Sequence, residues 1–256
     1  MSGFSVTESI DRHVDRLETP REPDGHHHPS SLSGCPRKAL YTFRGVPKSN
    51  PPEARSRRIF RLGHLFHDFI QEALEKDEAV GKFYREVKLF DPELNIKGAA
   101  DGLAVLTTGK LIVIELKSIG TYSWRSKNLP QPDHVEQATT YVKVLRDYGG
   151  RATSGVRDAD GEFIYDVVIP PMPMLTSVRF CYVNKESGET KEFDVNLTPP
   201  KEAALRERVR VLDEHLLNDT MPGRLPLVAN KKTGDLEKDW QCRYCDHHDT
   251  CWEAPE

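Results

Sequence analysis

Residues 96–118 read IKGAADGLAVLTTGKLIVIELKS, and this stretch carries the clearest structural pattern in the chain. Two runs rich in apolar and β-branched residues, 96–106 and 110–118, flank the short turn Thr107-Thr108-Gly109. Gly109 can adopt the positive backbone angle that a tight turn between antiparallel strands requires. The stretch therefore predicts a β-hairpin.

The hairpin predicts a pair of acidic side chains that face each other. If the chain turns about Thr108, residues equally distant from it lie opposite one another, so Asp101 faces Glu115 with Cβ atoms about 5 Å apart. Strand side chains alternate between faces, so Lys117 shares the face of Glu115. Adjacent carboxylates repel unless a cation lies between them, and oxygen ligands suit Mg²⁺ or Mn²⁺.

A lysine beside such a site can help to deprotonate a water molecule and can stabilise charge that builds on a phosphate. The alternative is ordinary surface charge, because Glu-x-Lys occurs in many proteins by chance. Residues 111–114 are Leu-Ile-Val-Ile, however, and predict a buried strand. A charged pair that ends a buried strand needs a partner or a metal. This favours a catalytic interpretation for Asp101, Glu115 and Lys117.

A helix predicted at 55–76 supplies a candidate third metal ligand. His67 lies on the flank of its apolar stripe, and Gly63 one turn earlier allows another element to approach closely. His64 lies further towards the polar side. A lone helical histidine is more often structural than ligating, so both interpretations stay open. The stripe consists of Leu62, Phe66, Phe69, Ile70 and Ala73.

A second helix is predicted at 132–148. Gln137 and Tyr141 are four residues apart and therefore share a face, with His134 one turn before them. An amide and a phenol on one face can bind a phosphate backbone. The same pair can equally form an ordinary hydrogen-bonded helix surface.

The remaining elements follow from the same periodicities. Strands mixed with helices predict an α/β fold with a mixed sheet flanked by helices. Two segments are predicted as loops: 20–33, whose residues His26–His28 we interpret as solvated, and 149–175, which is rich in Gly, Pro and Asp. Further helices are predicted at 5–19, 33–43 and 200–218, a strand at 84–90, and a second hairpin from strands 177–183 and 191–195.

The composition is that of a folded protein. The 256 residues carry a net charge of -4 and 37% hydrophobic residues, which fits one large domain or a domain with an appended module. The longest apolar run, 111–116, is far shorter than the about 20 residues of a membrane span. The first residues lack the apolar core of a secretory signal. We therefore expect a cytoplasmic protein without membrane contact.

Cysteines in a reducing compartment are typically ligands or buried thiols and not disulfide partners. Three of the five lie within ten residues near the end of the chain, and a fourth lies far upstream. Four thiolates suit either zinc or an iron-sulfur cluster, while His247 and His248 keep a local zinc site as an alternative. Cys181 lies mid-strand, and we assign it to the core. The candidate ligand set is Cys35, Cys242, Cys245 and Cys251.

A basic strip lies between residues 37 and 61, which include eight basic residues and one acid, a net charge of +7. It is either a solvated helix face or a phosphate-binding strip that leads towards His67. Because affinity for a polyanion follows the local potential, the overall charge does not exclude DNA. We assign Arg58 and Arg61, nearest to His67, to DNA binding.

Taken in order, these features resemble the RecB-like branch of the PD-(D/E)XK nuclease superfamily, and most of all the CRISPR-associated exonuclease of the Cas-four type and its phage-encoded relatives. The similarity covers about residues 31–252. Two features depart from the pattern: Ala-Ala-Asp at 99–101 replaces Pro-Asp, and 149–175 is longer than the usual link. The motifs are Cys35, Gly63-x3-His67, Gly98-x2-Asp101, Glu115-x-Lys117, Gln137-x3-Tyr141 and Cys242-x2-Cys245-x5-Cys251.

The resemblance implies a restriction-endonuclease-like fold with an iron-sulfur lobe built from both chain ends. An N-terminal extension would occupy 1–30 and the nuclease domain 31–252. Within that domain, residue 35 and residues 240–252 would form the iron-sulfur module, with 149–175 as a loop insertion. The implied ligands are His67, Asp101 and Glu115 for Mg²⁺ or Mn²⁺, and Cys35, Cys242, Cys245 and Cys251 for a 4Fe-4S cluster. Lys117 would be the catalytic lysine, and Gln137 and Tyr141 would contact DNA.

The leading hypothesis is a metal-dependent DNA exonuclease that acts on single strands or DNA ends, in a prokaryotic cell or a phage-infected host. One alternative is a CRISPR-adaptation or DNA-end-processing partner that works with recombination proteins inside a complex. Another is a zinc-stabilised DNA-binding module without catalysis.

Overall fold

The computed structural model describes residues 5–17, 23–126, 128–153, 155–156, 158 and 163–253. The helices are α1 (Val6–Leu17), α2 (Pro29–Leu32), α3 (Pro36–Phe43), α4 (Ala54–Lys76), α5 (Thr121–Trp124), α6 (Pro132–Asp147), α7 (Pro199–Leu217), α8 (Trp240–Arg243) and α9 (His248–Glu253). The strands are β1 (Val80–Asp91), β2 (Ile96–Leu106), β3 (Leu111–Ile119), β4 (Gly150–Ala152), β5 (Val167–Ile169), β6 (Ser177–Asn184), β7 (Thr190–Asn196), β8 (Val228–Ala229) and β9 (Leu236–Glu237).

The described residues build one central sheet of seven strands in the order β5-β4-β1-β2-β3-β6-β7. Strands β3 and β6 pair in parallel, whereas the other neighbours are antiparallel. The chain from β3 to β6 runs through α6, the kind of helical crossover that a parallel pair requires. The predicted mixed sheet flanked by helices is confirmed. Strands β8 and β9 form a separate small hairpin.

The two faces of the sheet pack against different helices. Ile112, Ile114 and Leu116 lie in a cluster with residues of α4. Val113 alternates with them and lies in the larger core with Tyr141 and other residues of α6. Because side chains alternate along a strand, Glu115 and Lys117 point to the α6 face. A third cluster joins α2, α3 and α7 to the start of β2.

The segment 149–175 is not a loop throughout, so that prediction was wrong. Strands β4 and β5 lie within it and extend the sheet beyond β1, with Arg151 opposite Lys88 and Gly150 opposite Ile169. Each strand is three residues long, which is too short for a recognisable alternation of apolar and polar residues. Their pairing depends on the edge that β1 offers.

The prediction of a solvated loop is wrong for His27. Its side chain is buried, and its Nε2 lies 2.8 Å from Oδ1 of Asp213 on α7. Its backbone also bridges to Ile96 at the start of β2. His27 therefore fastens the segment before α2 to the sheet and to α7.

The buried side of α4 differs from the predicted stripe. Leu62 and Phe69 are 51% and 69% exposed, whereas Gly63 and Gln71 are buried and Ile70 packs on the sheet. The helix is thus rotated so that a small residue and an amide face inwards. Cys181, assigned to the core, packs against this same cluster but stays partly exposed.

Candidate active site

The hairpin of β2 and β3 has the predicted register. Gly102 pairs with Ile114 and Leu103 with Val113, and the same register continued by one residue places Asp101 opposite Glu115. The backbone N–H of Leu116 donates to Oδ2 of Asp101 at 2.7 Å. The two carboxylates therefore belong to one rigid strand pair.

Lys117 connects this strand pair to α6. Its Nζ lies 2.7 Å from Oε1 of Glu115 and donates to Oε1 of Gln137 at 3.0 Å. Nε2 of Gln137 donates in turn to the hydroxyl oxygen of Tyr141 at 2.8 Å. Gln137 and Tyr141 do share a face of α6, and that face meets the candidate catalytic lysine. His134 points elsewhere, since its Nδ1 lies 2.8 Å from the hydroxyl of Tyr182.

His67 reaches the site from α4. Its Nδ1 lies 3.7 Å from Oδ1 of Asp101, whereas His64 is exposed. Burial lowers the pKa of His67 and so favours the neutral imidazole that can bind a metal. Gly63 permits the close approach, because a Cβ atom there would lie 3.0 Å from Oγ of Ser118 on β3.

The carboxylates of Asp101 and Glu115 are buried, and the nearby positive charge of Lys117 does not balance their two negative charges. Burial raises the pKa of Asp101 to about 7, and burial together with the charge of Asp101 raises the pKa of Glu115 to about 8. Glu115 is 1% exposed, and its Oε2 has no hydrogen-bond partner within the described chain. Aspartate and glutamate side chains in water are ionised at neutral pH. In this site burial favours their protonated, neutral forms instead.

The side chains of His67, Asp101 and Glu115 are of types that can bind a divalent cation. The two carboxylates are ordinary oxygen ligands of Mg²⁺ or Mn²⁺, whereas the imidazole nitrogen is a softer ligand that transition metals prefer. A cation would also satisfy the unpartnered oxygen of Glu115. As placed, the described residues contain no group of three or more His, Cys, Asp or Glu side chains set at metal-binding geometry. Cation binding would therefore have to displace protons and adjust side chains.

The predicted basic strip is largely paired within the chain. Arg58 forms an ion pair with Asp11 of α1, and Arg57 pairs with Asp15 at 2.9 Å. Lys38 and Lys48 both contact the carboxylate of Asp246. The net charge of the strip therefore overstates the potential that a polyanion would meet. Arg61 forms no ion pair among the residues that the structure describes.

The four candidate cluster cysteines lie at the start of α3 and in the segment from α8 to α9, with Cys245 between these two helices. Cys35 caps the N-terminus of α3, Cys242 lies in α8, and Cys251 lies in α9. Burial raises the pKa of Cys242, and the charges of Cys35 and Cys251 raise it further. Burial and the charge of Cys35 also raise the pKa of Cys245. The charge of Cys35 thus acts on both Cys242 and Cys245. As placed, however, the described cysteines do not form a group at metal-binding geometry, so the shared metal centre stays a prediction.

Two site residues escaped the sequence analysis. Gln71 is buried on α4, and its Nε2 donates both to the backbone oxygen of Asp101 at 2.8 Å and to Oε1 of Glu86 at 3.2 Å. Gln71 lies one turn after His67 and so faces the same way, a signal that was available. Glu86 lies within β1 and has no motif that would single it out.

Comparisons with known proteins add information on the fold. No protein-family model and no curated protein sequence matches the chain. Among solved structures, the crystal structure of SSO0001 is similar over 98% of this chain and 98% of its own, with a TM-score of 0.55 and 17% sequence identity. At this identity the likeness concerns the fold, which the two chains share over almost their full lengths. No helix within the described ranges is long and apolar enough to cross a membrane.

Proposed function

We propose that the chain is a metal-dependent DNA exonuclease of the PD-(D/E)XK type. One observation carries the proposal: the buried, unpartnered carboxylate oxygen of Glu115 lies in a strand pair with Asp101 and beside Lys117. Carboxylates that are buried together without matching positive charge are costly, and a bound cation offsets that cost. The arrangement suits hydrolysis of a phosphodiester, whose reaction builds negative charge that cations stabilise.

The proposed roles follow from position. His67, Asp101 and Glu115 would hold one or two Mg²⁺ or Mn²⁺ ions. A bound cation supplies a Lewis acid and lowers the pKa of a coordinated water molecule. Lys117, held between Glu115 and Gln137, would stabilise charge on the phosphate.

Gln137 and Tyr141 would contact the DNA backbone next to Lys117. Burial raises the pKa of Tyr141 well above its usual value, so its hydroxyl stays protonated and can donate. Of the two arginines assigned to DNA, Arg61 is available directly. Arg58 would first have to exchange Asp11 for phosphate.

We further propose that Cys35, Cys242, Cys245 and Cys251 bind a 4Fe-4S cluster that joins α3 to the C-terminal segment. Four cysteine thiolates are the usual ligand set of this cluster. Zinc is the competing occupant, and the buried His247, whose Nδ1 has no hydrogen-bond partner in the described ranges, supports it. Binding of either metal would couple the two distant parts of the chain.

The two occupants are distinguished by anaerobic purification followed by metal analysis. We expect a brown protein that contains about four iron atoms, as a 4Fe-4S cluster requires. A colourless protein that contains zinc and no iron would refute the cluster and leave the nuclease proposal untouched.

The activity is tested with single-stranded DNA labelled separately at its 5′ and 3′ ends and incubated with Mn²⁺ or Mg²⁺. We expect progressive shortening that EDTA abolishes, and the label released first shows the polarity. Duplex DNA and a circular single strand are the matched substrates, because an exonuclease spares the circle. Tight end binding without shortening, with activity only after recombination proteins are added, would support the alternative of a partner inside a complex.

A further inference from the structure

Glu86 occupies an unusual position in β1. Arg85 pairs with Gly102 and Val87 with Ala100, so Glu86 stands opposite Asp101 on the neighbouring strand. Its φ angle is 46°, in the left-handed region that residues other than glycine seldom adopt. Such conformations persist where the surrounding structure holds them, and they concentrate at functional sites.

The carboxylate of Glu86 is fixed by the residue that also fixes Asp101. Nε2 of Gln71 donates to Oε1 of Glu86 at 3.2 Å and to the backbone oxygen of Asp101 at 2.8 Å. Gln71 is 2% exposed, so its amide is shielded from water and must bond to neighbouring protein groups. One buried side chain from the helix of His67 thus holds the carboxylate of Glu86 next to the backbone of Asp101.

The charge of Glu86 acts on the same site. It opposes the burial that lowers the pKa of His67 and adds to the burial that raises the pKa of Asp101. No lysine or arginine forms an ion pair with Glu86 in the ranges described. With Asp101, Glu115 and Lys117, it brings the ionised site to a net charge of -2, which one divalent cation would neutralise.

We propose that Glu86 is a further ligand of the divalent cation at this site, directly or through a bound water molecule, and that Gln71 is its positioning residue. The proposal rests on the cation site of the proposed function and adds a third carboxylate to it. The unpartnered Oε2 of the buried Glu115 is an independent indication that a ligand belongs there.

The test is Mn²⁺ binding to the full chain, measured by isothermal titration calorimetry and by the loss of the free-ion electron paramagnetic resonance signal. For Glu86→Gln we expect an affinity at least about tenfold weaker, the range known for residues that support a metal ligand. Glu78→Gln is the matched control, because it removes an exposed acid from the turn before β1. Its affinity should equal that of the wild type.

Glu86→Gly separates a ligand from a merely structural residue. Glycine tolerates the positive φ angle, so the cation-free variant should melt at the wild-type temperature or above it. Its Mn²⁺ affinity should nevertheless fall as in Glu86→Gln. A lower melting temperature with unchanged Mn²⁺ affinity would assign Glu86 a structural role and overturn the proposal.

Mn²⁺ binding by the wild type and by Glu86→Gln separates the cation site from the role of Glu86. If the wild type binds Mn²⁺ and Glu86→Gln binds it equally well, only the assignment of Glu86 is wrong. If the wild type binds no Mn²⁺, the cation site itself is wrong, and the assignment of Glu86 falls with it.

Discussion

Lys117→Ala is expected to slow Mn²⁺-dependent shortening of a labelled single strand by about a hundred- to a thousandfold, the usual effect of removing one preorganised charge-stabilising group. In the described structure Lys117 is the cation that contacts Glu115, at 2.7 Å, and it also donates to Gln137. Alanine would remove the positive charge beside Glu115 that we propose stabilises the phosphate. It would also release Gln137 from its partner.

The measurement is the single-turnover rate on 5′-labelled DNA, with DNA affinity determined separately in the absence of a divalent cation. Lys110→Ala is the matched control, because Lys110 is exposed at the opposite end of β3. It loses the same charge and should retain the wild-type rate. Equal rates for Lys117→Ala and the wild type would show that the active site lies elsewhere.

Asp91→Ala is expected to lower the free energy of unfolding by about 3–5 kcal/mol, because it leaves a buried lysine without its main partner. Asp91 and Lys143 are both 0% exposed, and Nζ of Lys143 donates to Oδ2 of Asp91. Oδ1 of Asp91 accepts from the backbone N–H groups of Glu93 and Leu94 at 2.9 and 3.0 Å. The substitution therefore also breaks the turn between β1 and β2.

Heat or urea unfolding followed by circular dichroism measures this loss. In a domain of this size each kcal/mol corresponds to about 2–4 °C, so the melting temperature should fall by about 6–20 °C. Glu72→Gln is the control, since it breaks the exposed Glu72–Lys76 pair and should leave the melting temperature nearly unchanged. A loss from Asp91→Ala as small as that of the control would contradict the expectation.

The Asp91–Lys143 pair also bears on the site. Lys143 belongs to α6, which carries Gln137 and Tyr141, and Asp91 ends β1, which carries Glu86. The buried ion pair thus fastens together the two elements that flank Asp101 and Glu115. Weakening it should therefore also disturb the geometry of the candidate site.

Sequence reasoning succeeded where a pattern is local. The two apolar runs and the short turn in residues 96–118 predicted both strands and their register, because a tight turn leaves little freedom in how its two strands pair. The spacing of Gln137 and Tyr141 predicted a shared helix face for the same kind of reason. The helices at 132–148 and 200–218 were likewise predicted to within a residue of their observed bounds.

Sequence reasoning failed where two distant segments must meet. Leu62 and Phe69 are apolar yet exposed, because the sheet accepts the side of α4 that carries Gly63 and Gln71. The sequence predicted that Arg58 binds DNA, but in the folded chain Arg58 forms an ion pair with Asp11 of α1. Partners of this kind depend on packing between elements, which residue periodicity does not encode.

By itself, the sequence determined the mixed α/β fold and the Asp101–Glu115 hairpin with Lys117 on the same face, while the two metal sites that it predicts stay predictions. The fold and the hairpin rest on backbone geometry that repeats every two or 3.6 residues. Only the tertiary structure decided that Gln71 joins Glu86 to Asp101 and that Lys117 meets Gln137. Side chains far apart in the chain become neighbours only when the sheet and its helices pack, so no local pattern records them.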